Sequence, residues 1–220
     1  YMRGLTDHVN DKNSLKQQAQ RAKFAVAQAF AHDVLGFVRY GYSPELGNRT
    51  PYNGLVSYLL RHAMTGSGTD WELDFEKVMV SRGTLTPVKQ ASASVSGNTV
   101  SFTWTDNSGS GDAKATDVAM VLVYNKNTGE ADYNTSAGVR SDGQCQFTLP
   151  AGWGSANLAV YLGFRNTETG NCADSTCLIN SGSTNAGSGS STGGSGNSGS
   201  SSGGSSGGNG GDGGGDGMQI

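Results

Sequence analysis

Four sets of residues in this sequence have types and spacings that could do chemistry. The first is Asp106-Asn107-Ser108-Gly109-Ser110-Gly111-Asp112, followed by Asp117. Its oxygen side chains fall at offsets 1, 3, 5 and 12 with glycine at offset 6, the register of a calcium-binding loop. EF-hand loops, however, lie between helices, carry more carboxylates early and end on Glu. Strands are expected on both sides here, so the loop reads as turn chemistry in which Asp side chains bond loop amides, with calcium as the alternative. The second set, Asp70, Glu72, Asp74 and Glu76, offers paired carboxylates for acid–base work. Trp71, Leu73 and Phe75 alternate with them, which puts Glu72, Asp74 and Glu76 on the wet face of one strand. Solvated carboxylates keep ordinary pKa values and make poor general acids.

The third set is the histidines. His8, His32 and His62 all lie in the front half, in no triad setting. His62 is nearest an apolar face and is expected to be packed or hydrogen-bonded there, since no second ligand sits at metal-binding spacing. The fourth set is Cys145, Cys172 and Cys177. A single C-x4-C pair makes a poor zinc site, because zinc takes four ligands. Cys172 and Cys177 could close a small disulfide loop or remain thiols, and the spacing leaves both open. Outside the Gly/Ser-rich C-terminal stretch there is no Gly-x-Ser-x-Gly elbow, there is no P-loop, and neither Gly66-Ser67-Gly68 nor Gly109-Ser110-Gly111 completes a dinucleotide fingerprint. Tyr40, Tyr42, Tyr52 and Trp153 would suit stacking on sugars if exposed, yet some must close the core. The sequence thus assigns no catalytic, cofactor-binding or metal-ligating residue, implies no cofactor and argues against an enzyme.

The elements that would position these residues fall into three regions. Residues 1–86 read as helical, with a strand near 71–81. Ser14 is a natural N-cap for a helix from Leu15 to about Leu35, with Leu15, Ala19, Ala22, Val26, Ala29 or Phe30, and Val34 as its apolar stripe. Lys16, Arg21 and Lys23 read as its solvated face. Phe37 to Tyr42 is aromatic, and Pro51 opens a second helix from Tyr52 to about Met64 that Gly66 stops.

Residues 87–181 read as a seven-stranded antiparallel sandwich of the immunoglobulin or fibronectin type III kind. Val100, Phe102 and Trp104 share one strand face, and Ser101, Thr103 and Thr105 the other, the alternation of a half-buried strand. Strands are expected at 88–95, 99–105, 118–124, 130–137, 144–149, 156–165 and 173–180, separated by Gly/Asn/Asp turns. The expected core is Val100, Phe102, Trp104, Met120, Leu122, Tyr124, Phe147, Leu149, Leu158, Val160 and Leu162. Helices followed by a sandwich make the fold class α+β.

Composition separates the third region, residues 182–220. Seventeen of the 35 glycines lie between Gly182 and Gly217, so this Gly/Ser tail has little to bury and is expected to be a coil ending in Met218-Gln219-Ile220. Of the net charge of −3, Asp212 and Asp216 lie in this tail, which leaves a nearly neutral body and argues against a nucleic-acid surface. No apolar run approaches the roughly 20 residues of a membrane span. The chain opens on Tyr1 without a signal-peptide pattern, so no export route is legible.

Three stretches taken together carry a resemblance. They are 16–24 (Lys-Gln-Gln-Ala-Gln-Arg-Ala-Lys-Phe), 80–85 (Val-Ser-Arg-Gly-Thr-Leu), and 102–109 (Phe-Thr-Trp-Thr-Asp-Asn-Ser-Gly) with Asp117 and Val123-Tyr124-Asn125. Tyr1 to about Asn180 resembles a family of uncharacterised proteins from Bacteroidota with a helical front and a sandwich back. Members of that family open with a further Gly-rich segment carrying a Trp, so the resemblance implies that this chain lacks its front, and the long tail departs from the pattern. The resemblance implies fold and lineage and transfers no activity. The expected role is a non-enzymatic structural subunit, self-assembling into an extracellular filament, surface layer or virion-type structure. Its partners would be other copies of itself. The alternative is a monomeric surface adhesin that recognises glycan or protein through its sandwich loops.

Overall fold

The computed structural model of the protein describes residues 14–42 and 49–181. The expectations for residues 1–13, for Ser43-Pro44 and for the Gly/Ser tail lie outside these. Among the described residues the fold is α+β, with three α-helices followed by antiparallel strands. Helix α1 (Leu15–Asp33) starts at Ser14 in a reciprocal capping box: Ser14 Oγ accepts from Gln17 N, and Gln17 Oε1 accepts from Ser14 N. Its buried residues are Ala27, Phe30 and Ala31 near the C-terminus, whereas Leu15 and Phe24 are 81% and 40% exposed. The expected stripe is therefore rotated by about one residue and holds only in the second half of the helix.

Val34 leaves the helical path at φ −97°, ψ 7°, and α2 (Leu35–Gly41) follows at once where only an aromatic run was legible. Thr50 caps α3 (Pro51–His62), with Pro51 in the first turn and Leu55, Val56 and Leu59 buried. Residues Met64–Ser67 do not extend that helix. They form β1, paired with β2 (Asp70–Leu73) across a turn at Gly68. The single strand expected near 71–81 accordingly ends at Leu73. Asp74 and Glu76 lie in the turn that follows, where Asp74 Oδ1 accepts from Glu76 N and Lys77 Nζ lies 2.6 Å from Asp74 Oδ2. They do not share a strand face with Glu72.

Beyond the β1–β2 pair, seven strands among the described residues make two antiparallel sheets. One has the order β3 (Lys89–Ser96), β4 (Thr99–Thr105), β7 (Gln144–Thr148). The other has the order β6 (Glu130–Val139), β5 (Val118–Asn125), β8 (Leu158–Arg165), β9 (Thr176–Asn180). The sheets share a core that includes Val100, Phe102, Trp104 and Phe147 from one, and Ala119, Val121, Val123, Val160, Leu162 and Phe164 from the other. Met120, Leu122 and Tyr124, expected in that core, lie on the opposite face of β5. There they pack with Tyr161 against Phe30, Phe37, Leu55 and Leu59 of the helices. Tyr124 meets Phe30 edge-on at 4.9 Å and stacks on Phe75 at 5.6 Å. The four-stranded sheet is thus covered on both sides, and β5 and β8 read as continuous apolar runs because neither face is wet. Among the described residues the three-stranded sheet is covered on one side only.

Candidate functional site

Residues 78–85 cross from the helical layer to the sandwich without regular structure, and their polar groups tie them to the β8–β9 connection. Ser81 is fully buried. Its Oγ donates to Ala173 O at 2.9 Å, while Ser175 Oγ accepts from Val80 N and Ser81 N. Gly83 lies so close to the Cys172 carbonyl and Asn171 Oδ1 that a Cβ there would collide with both. On the other side, Arg82 N donates to Gly41 O at 2.8 Å, and Tyr42 and Arg82 form a parallel bridge. This strap holds the Arg82 side chain against α3.

Arg82 closes one side of a groove of about 340 Å³ that runs along the outer face of α3. Gly54, Ser57, Tyr58, Arg61 and His62 recur there at helical spacing, opposite buried Leu55, Val56 and Leu59. Arg39 of α2, Tyr42 just after that helix and Arg49 before α3 also line the groove. The Arg82 guanidinium lies over the Tyr58 ring at 4.8 Å, and Tyr58 in turn lies 4.9 Å from the His62 ring. Arg49 donates to Ser57 Oγ at 3.3 Å. Arg82 Nε is buried without a hydrogen-bond partner among the described residues, and the carboxylate nearest it, Asp174, is 4.0 Å away. Burial pushes the Tyr58 phenol above its ordinary pKa against the opposing pull of Arg82. It drives Tyr42, whose hydroxyl donates to Met79 O, far above. Both phenols are therefore neutral donors rather than bases. The groove concentrates positive charge over an aromatic floor, which suits it to hold an anion.

The sequence did not single out this groove. Its arginines are spread from Arg39 to Arg82, and their convergence depends on the strap. Of the residues it did single out, His62 and Tyr42 are in the groove. Tyr42 is packed as well as lining it, while His62 is exposed at the rim.

The Asp106–Asp117 loop is occupied by other partners. Asp106 Oδ1 accepts from Ser108 N, and that bond holds its carboxyl below the usual range. Asp112 accepts from Thr86 N and Oγ1 at 2.7 and 2.6 Å, and the Thr86 hydroxyl lowers its pKa likewise. Asp117 accepts from Lys114 N, so the loop-amide reading describes it and Asp106 well. Asp117 also meets Arg140, a residue the sequence did not flag. Both side chains are fully buried, with Nε 3.1 Å from Oδ2. Arg140 donates further to Asn107 Oδ1 and Thr86 O, its backbone carbonyl accepts from Trp104 Nε1, and its guanidinium covers Phe164 at 4.3 Å. Among the described residues no group of three His, Cys, Asp or Glu side chains could hold a metal ion. All three cysteines are thiols. Cys172 Sγ donates to Tyr40 O and Cys177 Sγ to Ile179 O, and burial pushes each of the three up to about 11.

A second feature, among the described residues, is the free edge of the three-stranded sheet at β7. Trp104 N bonds Gly143 O and Leu149 N bonds Asn98 O, and the register pairs Phe102 with Cys145 and Val100 with Phe147. In this antiparallel phase Cys145 and Phe147 bond β4, so the backbone groups of Gln144, Gln146 and Thr148 face away from it. The strand carries no charge, no proline and no bulge. At the other edge, β3 has a register shift between Lys89 and Ser92.

No curated protein and no solved structure matches this chain. A family described as "Family of unknown function (DUF6266)" matches residues 1–179, which takes in α1, α2, α3 and, of the described strands, all but the last residue of β9. The chain belongs to that family of unknown function, DUF6266.

Proposed function

We propose that the chain is a non-enzymatic structural subunit that joins other copies of itself into an extracellular filament, surface layer or virion-type structure. The observation that carries this reading is the open β7 edge. An uncharged, bulge-free edge strand is a template for pairing with another chain, and soluble monomers usually blunt such edges. Beside it the uncovered sheet face offers Ser92, Ser94, Thr103, Gln144 and Gln146, short or uncharged side chains that a neighbouring copy could approach. The sandwich itself we read as fibronectin type III-like. Its fourth strand, β6, pairs with β5 rather than extending the first sheet as in an immunoglobulin constant domain. We place its lineage in Bacteroidota on the strength of the three resembling stretches.

Light scattering and negative-stain microscopy on the full chain test this reading beside Gln146→Pro. That substitution removes an N–H that points away from β4, so the ladder survives while the edge is blunted. The expected result is regular particles from the parent and monomers, with unchanged thermal unfolding, from the variant. Monomers from both, or equal particles from both, would overturn it.

A second reading, a monomeric surface binding module, draws support from the groove on α3. The contact surface would then lie on the helical layer and not at the sandwich loops.

A further inference from the structure

We propose that the groove along α3 is a binding site for a multiply charged oxyanion ester, a phosphate or sulfate carried on a small organic molecule. The inference rests on the groove alone and stands whether or not copies pair at the β7 edge. Arg39 comes from α2, Arg49 from the residues before α3, Arg61 from the last turn of α3 and Arg82 from the strap, so the arginines reach one groove from separate segments. Among the described residues the carboxylate paired with any of them is Asp174, at the long distance of 4.0 Å from Arg82. A lone carboxylate ligand would leave most of this charge unanswered. Phosphate and sulfate present several oxygens in divergent directions and suit the planar fork of guanidinium donors.

The floor supplies the other half of the recognition. Tyr58 lies between Arg82 and His62, and the Tyr42 ring lies directly beneath Gly54. A Cβ at Gly54 would sit 3.1 Å from Tyr42 Cδ1, so glycine lets the Tyr42 ring pack this closely under the groove. Glycine within a helix is less favourable than alanine, and in α3 this close approach gives a physical reason for it. The 12 residues of α3 give the groove a length of about 18 Å, room for an organic body beside the anionic group. Such a body, a flat ring or a sugar, would lie on the aromatic floor with its ester groups among the arginines.

Isothermal titration of the full chain with inorganic pyrophosphate and with a trisulfated heparin disaccharide tests the site and separates a free phosphate compound from a sulfated sugar. Arg39 and Arg61 are exposed, so Arg39→Gln/Arg61→Gln should fold normally. Its affinity for the better probe should fall about tenfold or more, while Lys16→Gln/Lys89→Gln, away from the groove, should bind as the parent does. Tighter binding of pyrophosphate or of the disaccharide names the source. Failure of both probes to bind, equal affinity in the arginine variant, or tighter binding of citrate than of either probe would overturn the proposal. Because its readout is a small-molecule titration, it can fail while the edge-pairing reading stands, and the reverse.

Discussion

Arg140 is a fully buried cation whose hydrogen bonds gather three separate segments of the sandwich. It is a single cation at the end of β6, in a run with no visible pattern, and its partners Asp117, Asn107 and Thr86 lie 23, 33 and 54 residues away. Asp117 was legible as an oxygen donor at the end of a turn-rich loop, but its counter-charge was not, because nothing local ties the two. Together they join the β4–β5 loop, the β6–β7 turn and the residues leading into β3. Asn166 Nδ2 completes the set on Asp117 Oδ1 at 3.1 Å. Removing one partner of such a buried pair leaves a charge with neither water nor counter-ion. Arg140→Met should therefore lower the unfolding free energy by about 3–5 kcal/mol. Asp117→Leu combined with Arg140→Met should recover part of that loss. Urea unfolding of the three proteins checks this, and an Arg140→Met variant as stable as the parent would mean that the guanidinium is solvated in solution.

At the scale of elements, legibility followed the number of wet faces. Strand β4 alternates Val100, Phe102 and Trp104 with Ser and Thr because its other side meets solvent, and its expected bounds match the structure. Strand β5 has no such alternation. Val118 to Tyr124 is apolar throughout, so the pattern could not say which set faces which layer, and a one-residue difference exchanges the faces. Helix α2 and the strap were missed for related reasons. Seven residues are too few to show a helical period, and the strap's conformation is set by Ser81 and Gly83 meeting groups more than 85 residues on. The two faces of β5 give a paired prediction. Leu122→Ala and Val121→Ala should each cost about 2–4 kcal/mol, but in different places. Hydrogen exchange should show protection lost chiefly in α1 and α3 for Leu122→Ala and chiefly in β4 and β7 for Val121→Ala. The same exchange pattern in both variants would contradict the two-sided packing.

For the whole molecule, that packing decides whether the helices are an attachment or a layer. The sequence divides at about residue 86 by composition and pattern, yet the described residues form one compact unit with helices and sheet sharing a core. Among the described residues no helix is long and apolar enough to cross a membrane, and the buried apolar residues of α1 and α3 share a core with the sheet. Cutting the chain at residue 87 would strip the cover from Met120, Leu122, Tyr124, Ala159 and Tyr161, leaving a continuous apolar face on the four-stranded sheet. Exposed patches of that kind drive aggregation. A fragment of residues 87–181 should accordingly bind a hydrophobic dye and unfold without a cooperative transition, whereas residues 1–181 should unfold as a single unit. If instead the fragment is monodisperse and cooperative, the sandwich stands alone and the helical layer, with its arginine groove, is a separable module docked upon it. The contrast also bears on assembly. If residues 1–181 form particles and the fragment yields only amorphous aggregate, the regular contact needs the whole layered unit, which is what edge pairing at β7 on a rigid sandwich requires.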